Sequence, residues 1–533
     1  MLLATVLLLA AAAVTASPLA PADLSVDYGR PGFAFVGSAS PRFSWRFAPT
    51  SARGLRQASY QLQVARAAGG ASVWDSGVVQ KADTLYVGYG GPPLSADSRY
   101  KWRVQVTAAD APTASSRRTS GYSQWQPFAT ALLDPTDWDT LGAQWINGGN
   151  RSGDATAASE VPPANDHGMR GRKQLRTEFH LAPELHVSLS SASLFWAGVG
   201  YGRLWMNGEE VGADEALGPW TTWSQRILYR CKDVTAVLGP GANALGVWLA
   251  NGQYDSSWTH SWCDARKGCV PEMGLRLLLR VTLKNGTKLT VARSDPSSWM
   301  ASVSPFVADD VYRGITFDAR NITDGWATAG FKPAPPQWSA AAPVGAASTL
   351  FGAMHPHVFT PIRRVSERHP VKITTPAPGV YVYWFAENNV GWAQINRVKL
   401  PAGTTLKLAH AEQMRLPNST VCLVGCDAGR VYYAWGGAID SYTLRGDSAG
   451  ETYGAQFSYH GFQFVELTGW PASAAPPTLD TISAQVVHSD NKRIANLTFP
   501  SDGRGAILNQ INDNIVRSLL SNMHSVESDC PTR

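Results

Sequence analysis

Charge is scarce in this chain. Lys and Arg number 46 and Asp and Glu 41 among 533 residues, 16% in all, and the resulting excess of +5 is scattered without a basic run. Nucleic acid and anionic membrane surfaces, which select concentrated positive charge, gain no support as partners. Long apolar runs are missing beyond the N-terminus, so no later segment is expected to cross a bilayer as a helix. Cysteine is sparse, at six, and neither close pair, Cys263/Cys269 or Cys422/Cys426, has His or Cys companions at the spacing of a zinc site. Helical periodicity is absent until about residue 505.

What the chain holds instead is turn-forming and aromatic: 49 Gly, 34 Pro and 20 Trp within a 44% apolar composition. That balance describes turn-rich β structure rather than bundles or disorder. The length exceeds what one core sustains, so roughly three to five domains are expected. The tryptophans read first as sandwich cores and only second as platforms for sugar rings, since large aromatics dominate buried cores.

Residues 2 to 16 form an apolar run too short to span a membrane and end in Val14-Thr15-Ala16, which suits signal-peptidase cleavage after Ala16, although no Lys or Arg precedes the run. Secretion, to the extracellular space or the secretory lumen, is the expectation. In an oxidising compartment Cys263/Cys269 and Cys422/Cys426 would close small disulfide loops. Five N-x-S/T sequons, at Asn150, Asn285, Asn321, Asn418 and Asn496, agree with a glycosylating route.

Period-two alternation runs through Tyr60, Leu62, Val64 and again through Tyr100, Trp102, Val104, Val106. Half-buried strands separated by Gly-rich turns result, and residues 17–132 read as one fibronectin type III-like sandwich, with Val73-Trp74-Asp75-Ser76-Gly77 a strand entering a turn. Residues 133–168 read as a linker. Residues 169–345 read as a larger sandwich, with Asn207-Gly208 between apolar strands as its clearest hairpin signal. A further sandwich is expected over 346–495. Ile507, Leu508, Ile511, Ile515, Leu519 and Met523 then recur at helical spacing, predicting a helix over 505–526 with one apolar face. The Gly198–Gly202 stretch lacks the βαβ setting of a nucleotide loop and is set aside. His410 and Glu412 share a strand face and read as a structural hydrogen-bonded pair rather than an acid–base couple.

The motifs then converge. Met206-Asn207-Gly208-Glu209-Glu210-Val211-Gly212, Gly218-Pro219-Trp220-Thr221, Asp233-Val234-Thr235 and Asn251-Gly252-Gln253-Tyr254 resemble the N-terminal jelly roll of the α-L-rhamnosidases. Asp310-Val311-Tyr312-Arg313-Gly314 follows, departing from the family at Ile315, where a Glu is usual. Asn389-Val390-Gly391-Trp392, His410-Ala411-Glu412, Asp440–Leu444 and Phe457–Phe462 resemble the sandwich preceding that family's barrel. Asp529-Cys530-Pro531-Thr532-Arg533 is similar to the start of its catalytic signature.

The resemblance implies a mainly β, multi-domain chain: β-sandwiches and jelly rolls, with residues 496–533 opening an (α/α)6 barrel. It implies an inverting hydrolase of terminal α-L-rhamnose in glycosides or polysaccharides, with Asp529 and Arg533 as substrate contacts. The general acid and base of such an enzyme, two carboxyls about 6.5–9.5 Å apart, are expected beyond Arg533, so the chain alone is expected to be a catalytically incomplete fragment. Asn207, Trp220, Trp223, Asn251 and Tyr254 are the candidate sugar-binding residues of the jelly roll, where some relatives use calcium; no cofactor is expected for hydrolysis itself. The competing readings are a secreted lectin-like protein and a scaffold. Oligomeric state is left open.

Overall fold

The computed structural model describes residues 19–29, 32–50, 54–109, 117–149, 173–254, 273–345, 351–414 and 438–528, and these form two compact units, 1–134 and 135–533. The first unit is an immunoglobulin-like sandwich. One sheet joins Pro21–Val26, Arg42–Phe47 and Val87–Gly88; the other is built on the antiparallel pair Arg56–Arg66 and Arg99–Ala109. The inward positions of the alternating pattern, Leu62, Val64, Trp102, Val104 and Val106, close over Phe43, Trp45 and Phe128. Val73–Asp75 ends a short strand before Gly77 turns the chain at φ +59°.

The second unit contains two sandwiches that exchange strands. In the jelly roll, Leu189–Gly198 and Leu275–Leu283 head one sheet, and Gln174–Leu181, Tyr201–Met206 and Gly241–Ala250 the other. Between the sheets lie Trp196, Leu204, Met206, Val247, Leu277 and Trp299, all nearly or fully buried. Asn207-Gly208 makes the predicted hairpin into Glu209–Glu210. Part of the expected linker is structure: Ile146–Asn147 pairs with Leu275 and with Ala342–Pro343, and Trp138 is wholly buried. A two-residue strand is too short to show alternation.

The central sandwich has an eleven-stranded sheet around Val380–Val398, which pairs with Lys372–Ala377, Glu451–Gly454, His460–Thr468 and Ile482–Ser489. Its boundary differs from the expected one. Phe306–Asp310 and Gly314–Asp318 leave the jelly roll to join this sheet, Glu215–Leu217 pairs with Ile362–Arg368, and Ala353–Pro356 returns to the jelly roll beside Arg226–Asp233. Composition is uniform across such a crossing, so no sequence boundary marks it.

Two glycines have geometric reasons. Gly391 sits at φ +138°, and a Cβ there would lie 1.9 Å from the Gln485 carbonyl oxygen. Gly314 sits at φ +104° with the Ile439 carbonyl oxygen 2.2 Å from any Cβ. Only glycine lets the strands approach at these points.

The helix spans Gly503–Ser521, shorter than predicted. Asn522 ends it, its N–H reaching the Leu519 carbonyl (3.1 Å) and its amide the Ser518 carbonyl (3.0 Å). Met523 then belongs to a two-residue strand pairing with Val526–Glu527. Ile507, Leu508, Ile511, Ile515 and Leu519 are 42–61% exposed. No helix among the described residues is long and apolar enough to cross a membrane.

Candidate carbohydrate-binding site

The residues that end the described chain are pinned to both sandwiches of the second unit. His524 is buried, lies flat on Tyr459 (ring centroids 3.8 Å apart, planes 9°) and donates from Nε2 to the Val487 carbonyl (2.9 Å). Burial pushes its imidazole pKa down to about 3, so the ring is neutral at ordinary pH. Ser525 stands in the left-handed region at φ +70°, a conformation that costs a non-glycine residue about 1–2 kcal/mol. Its N–H donates to Ser489 Oγ (2.9 Å), and its own Oγ accepts from the Trp220 N–H (3.1 Å) and donates to the Trp220 carbonyl (3.3 Å). The chain immediately before Asp529 is therefore tied to the Gly218–Thr222 turn.

This seam leaves a groove of about 350 Å³ lined by Trp220, Thr221, Thr222, Arg226, Leu228, Phe359, Ser525 and Val526. The volume lies in the range of small-ligand sites, about 300–1,000 Å³. Phe359 (46%) and Val526 (45%) are exposed, Arg226 is exposed, and Leu228 is buried. Aromatic and aliphatic faces thus meet three hydroxyls and one guanidinium.

Of the candidate sugar-binding residues only Trp220 lies on this groove. The amide of Asn207 donates to the Val237 carbonyl (2.9 Å) and Asn243 Oδ1 (2.8 Å), and its oxygen accepts from the Ala244 N–H (2.8 Å). Asn251 is buried: its backbone N–H donates to Asp309 Oδ2 (2.5 Å), its amide to the Asp309 carbonyl (3.0 Å), and its Oδ1 accepts from Lys173 (3.1 Å). Trp223 (3% exposed) and Tyr254 (4%) are core, meeting edge to face at 5.6 Å. Asn251, Trp223 and Tyr254 are buried, and the half-buried Asn207 holds its turn. Asp529, Arg533, Cys263, Cys269, Cys422, Cys426, Asn150 and Asn418 lie outside the described residues; Asn285, Asn321 and Asn496 are exposed.

On the Glu215–Leu217 strand, Glu215 contacts Lys232 (2.5 Å) and Arg230 (3.4 Å). Burial opposes its charge, but the two cations hold its carboxyl below the usual range. Burial pushes the neighbouring His357 down to about 4. An acid kept ionised in this way cannot donate a proton to a leaving oxygen.

The other convergence is in the central sandwich. His410, Asp440 and His460 are all buried, with Asp440 3.3 Å from His460 Nε2 and 3.8 Å from His410 Nε2. Asp440 Oδ1 also accepts from the Ile315 N–H (2.9 Å) and Ser458 (3.4 Å). His410 does not bond Glu412. Its Nε2 accepts from the Ala393 N–H (3.1 Å) and its Nδ1 donates to the Ala438 carbonyl (3.1 Å), while Glu412 accepts from Asn388 (2.7 Å). Burial, then the neighbouring His460, push His410 down to about 3. Alternation places residues 410 and 412 on one face but cannot say which neighbour satisfies each. With its lone pair used by Ala393, His410 is a poor metal ligand, and the trio serves to tie strands together.

These features define an architecture: an immunoglobulin-like domain followed by a jelly roll and a further β-sandwich that exchange strands. Three family profiles match in that order. They are described as "Rha78A-like, N-terminal immunoglobulin domain" (residues 21–134), "Alpha-L-rhamnosidase N-terminal domain" (187–365) and "Bacterial alpha-L-rhamnosidase concanavalin-like domain" (374–488). The chain belongs to the α-L-rhamnosidase family and carries its N-terminal and central domains. An α-L-rhamnosidase of Streptomyces avermitilis is 28% identical over 93% of this chain and 60% of its own length, and one of Formosa agariphila 27% identical over 93% and 50%. The crystal structure of α-L-rhamnosidase from Aspergillus terreus superposes with a TM-score of 0.77 at 27% identity, covering 97% of this chain and 54% of that one. The chain spans about half to three-fifths of the length of the curated relatives it matches.

Proposed function

We propose that this protein is the β-domain portion of a secreted α-L-rhamnosidase, which hydrolyses terminal α-L-rhamnose from glycosides or polysaccharides. The observation that carries the reading is the ordered match of three rhamnosidase domains over residues 21–488. In it, Asp529 and Arg533, which follow the anchored segment Met523–Ser528 in sequence, contact the sugar as the family resemblance implies. Among the described residues no pair of carboxyls is exposed in the groove to act as acid and base. The protein's own contribution is accordingly to hold and orient. The product of the complete reading frame is expected to release p-nitrophenol from p-nitrophenyl α-L-rhamnoside, whereas residues 17–533 alone should not. A full-length product inactive on every α-L-rhamnoside offered would overturn the reading.

Secretion is supported by the apolar leader and by the exposure of Asn285, Asn321 and Asn496. Expression in a eukaryotic secretory host should yield protein in the medium beginning at Ser17, with mass lost on deglycosylation. Retention of the leader inside the cell would refute this part. Glycoside hydrolysis needs no cofactor. A calcium site requires about six to eight oxygen ligands. The described residues that converge for an ion, His410, Asp440 and His460, offer mainly nitrogen and do not fit it. That trio belongs to the central sandwich, so a calcium ion in the jelly roll stays part of the proposal.

A further inference from the structure

We infer that the groove between Trp220, Phe359 and Ser525 is a saccharide subsite in its own right, sized for one or two sugar rings and independent of hydrolysis. Its walls divide by polarity. Trp220, Phe359, Leu228 and Val526 offer apolar faces, while Thr221 and Thr222 offer hydroxyls and Arg226 a guanidinium; the Ser525 hydroxyl is spent on the Trp220 backbone. A sugar ring has the same division, with axial C–H faces that stack on aromatics and equatorial hydroxyls that take hydrogen bonds, and a 6-deoxy sugar adds a methyl group suited to Leu228 or Val526. A larger hollow of about 440 Å³ beside the terminal helix is walled by Ile515, Leu519 and Met523 and has no aromatic face, so it lacks this match.

The groove is also rigidly set. Trp220 is held at both backbone N–H and carbonyl by one Ser525 hydroxyl, and Ser525 is itself kept in a left-handed conformation by Ser489 and by the buried His524 next to it. Strained backbone maintained by surrounding contacts is characteristic of ligand-holding corners. A pre-set platform loses little conformational entropy on binding.

The choice of L-rhamnose as the preferred sugar rests on the rhamnosidase reading, whereas the subsite itself rests on the groove. The test is saturation-transfer NMR and calorimetry on this chain with L-rhamnose, methyl α-L-rhamnoside, L-fucose, D-galactose and D-mannose. It is repeated on Phe359→Ala, Arg226→Ala and Trp220→Ala, with thermal melts to confirm folding; the first two residues are exposed and their variants keep the fold. Binding of rhamnosides is expected, weakened about tenfold or more by Phe359→Ala and Trp220→Ala. If another sugar binds and the variants abolish it, the subsite stands and the rhamnoside preference falls. Rhamnose binding that all three variants leave unchanged would overturn the subsite but not the rhamnosidase reading. Failure of every sugar to bind the folded chain would overturn the subsite.

Discussion

Acidification should destabilise the second unit well before its carboxylates protonate, because burial holds three of its histidines neutral, His410, His524 and His357. His410 and His524 are wholly or almost wholly inaccessible, and burial sets each imidazole at about 3, against an ordinary value of 6.5. A base whose folded pKa is depressed binds fewer protons folded than unfolded. Its stabilising contribution is complete above about pH 6.5 and is lost as pH falls toward about 3. At pH 5 each ring, His357 at about 4 included, has lost about 1.36 × 1.5, or roughly 2 kcal/mol, so the three have lost about 6 kcal/mol. That is a large part of the 5–15 kcal/mol typical of a domain. The window from pH 6.5 to 5 isolates the effect, since Asp440, Glu215 and Glu451 are held below their ordinary values and stay charged throughout. Urea unfolding followed by tryptophan fluorescence should show the midpoint falling across this window. His524→Phe keeps the stack on Tyr459 without a titrating group and should remove about a third of the slope. A midpoint independent of pH between 6.5 and 5, or a slope unchanged by His524→Phe, would refute the argument.

Three further outcomes follow from local geometry. Gly391→Ala places a methyl 1.9 Å from the Gln485 oxygen and should cost about 3 kcal/mol or more by forcing two central strands apart, lowering the melting temperature; a variant as stable as the parent would contradict it. Lys173→Met leaves the Asp309 carboxylate, 1% exposed, without its cation, and a loss of about 3–5 kcal/mol is expected in urea titration. Ser525→Ala loses both bonds to Trp220 and keeps the backbone strain, whereas Ser525→Gly loses the bonds and relieves the strain. The Ala variant should therefore melt lower than the Gly variant, and the reverse order would show that the corner is not strained.

Strands with strict alternation and turns with demanding backbone were legible from the chain. Tyr60–Val64 and Tyr100–Val106 face the core as their spacing requires, and Asn207-Gly208 turns the hairpin it predicts. The exchange of strands between the two sandwiches was not legible. Glu215–Leu217 and Ala353–Pro356 are three and four residues long, too short to carry a period, and which sheet they join is decided by partners distant in sequence: Ile362–Arg363 and Arg226–Tyr229. The helix was legible in register but one turn too long, because Met523 continues the apolar spacing while its backbone has already left the helix.

The candidate site shows why motif prominence misleads about binding. Asn207 and Asn251 stand out in the sequence because a short amide beside glycine builds turns, and turn-building draws on the hydrogen bonds a sugar would need: both amides donate to and accept from the protein. Arg226, Phe359 and Val526 carry no motif, since nothing in their local backbone is demanding, yet all three are exposed at the groove. Trp220 belongs to both groups. Its flanking Gly218-Pro219 makes it visible, while Ser525 binds only its backbone and leaves the indole at the groove. A residue marked by its neighbours rather than by its own conformational role is the kind of motif member that keeps its side chain for a ligand.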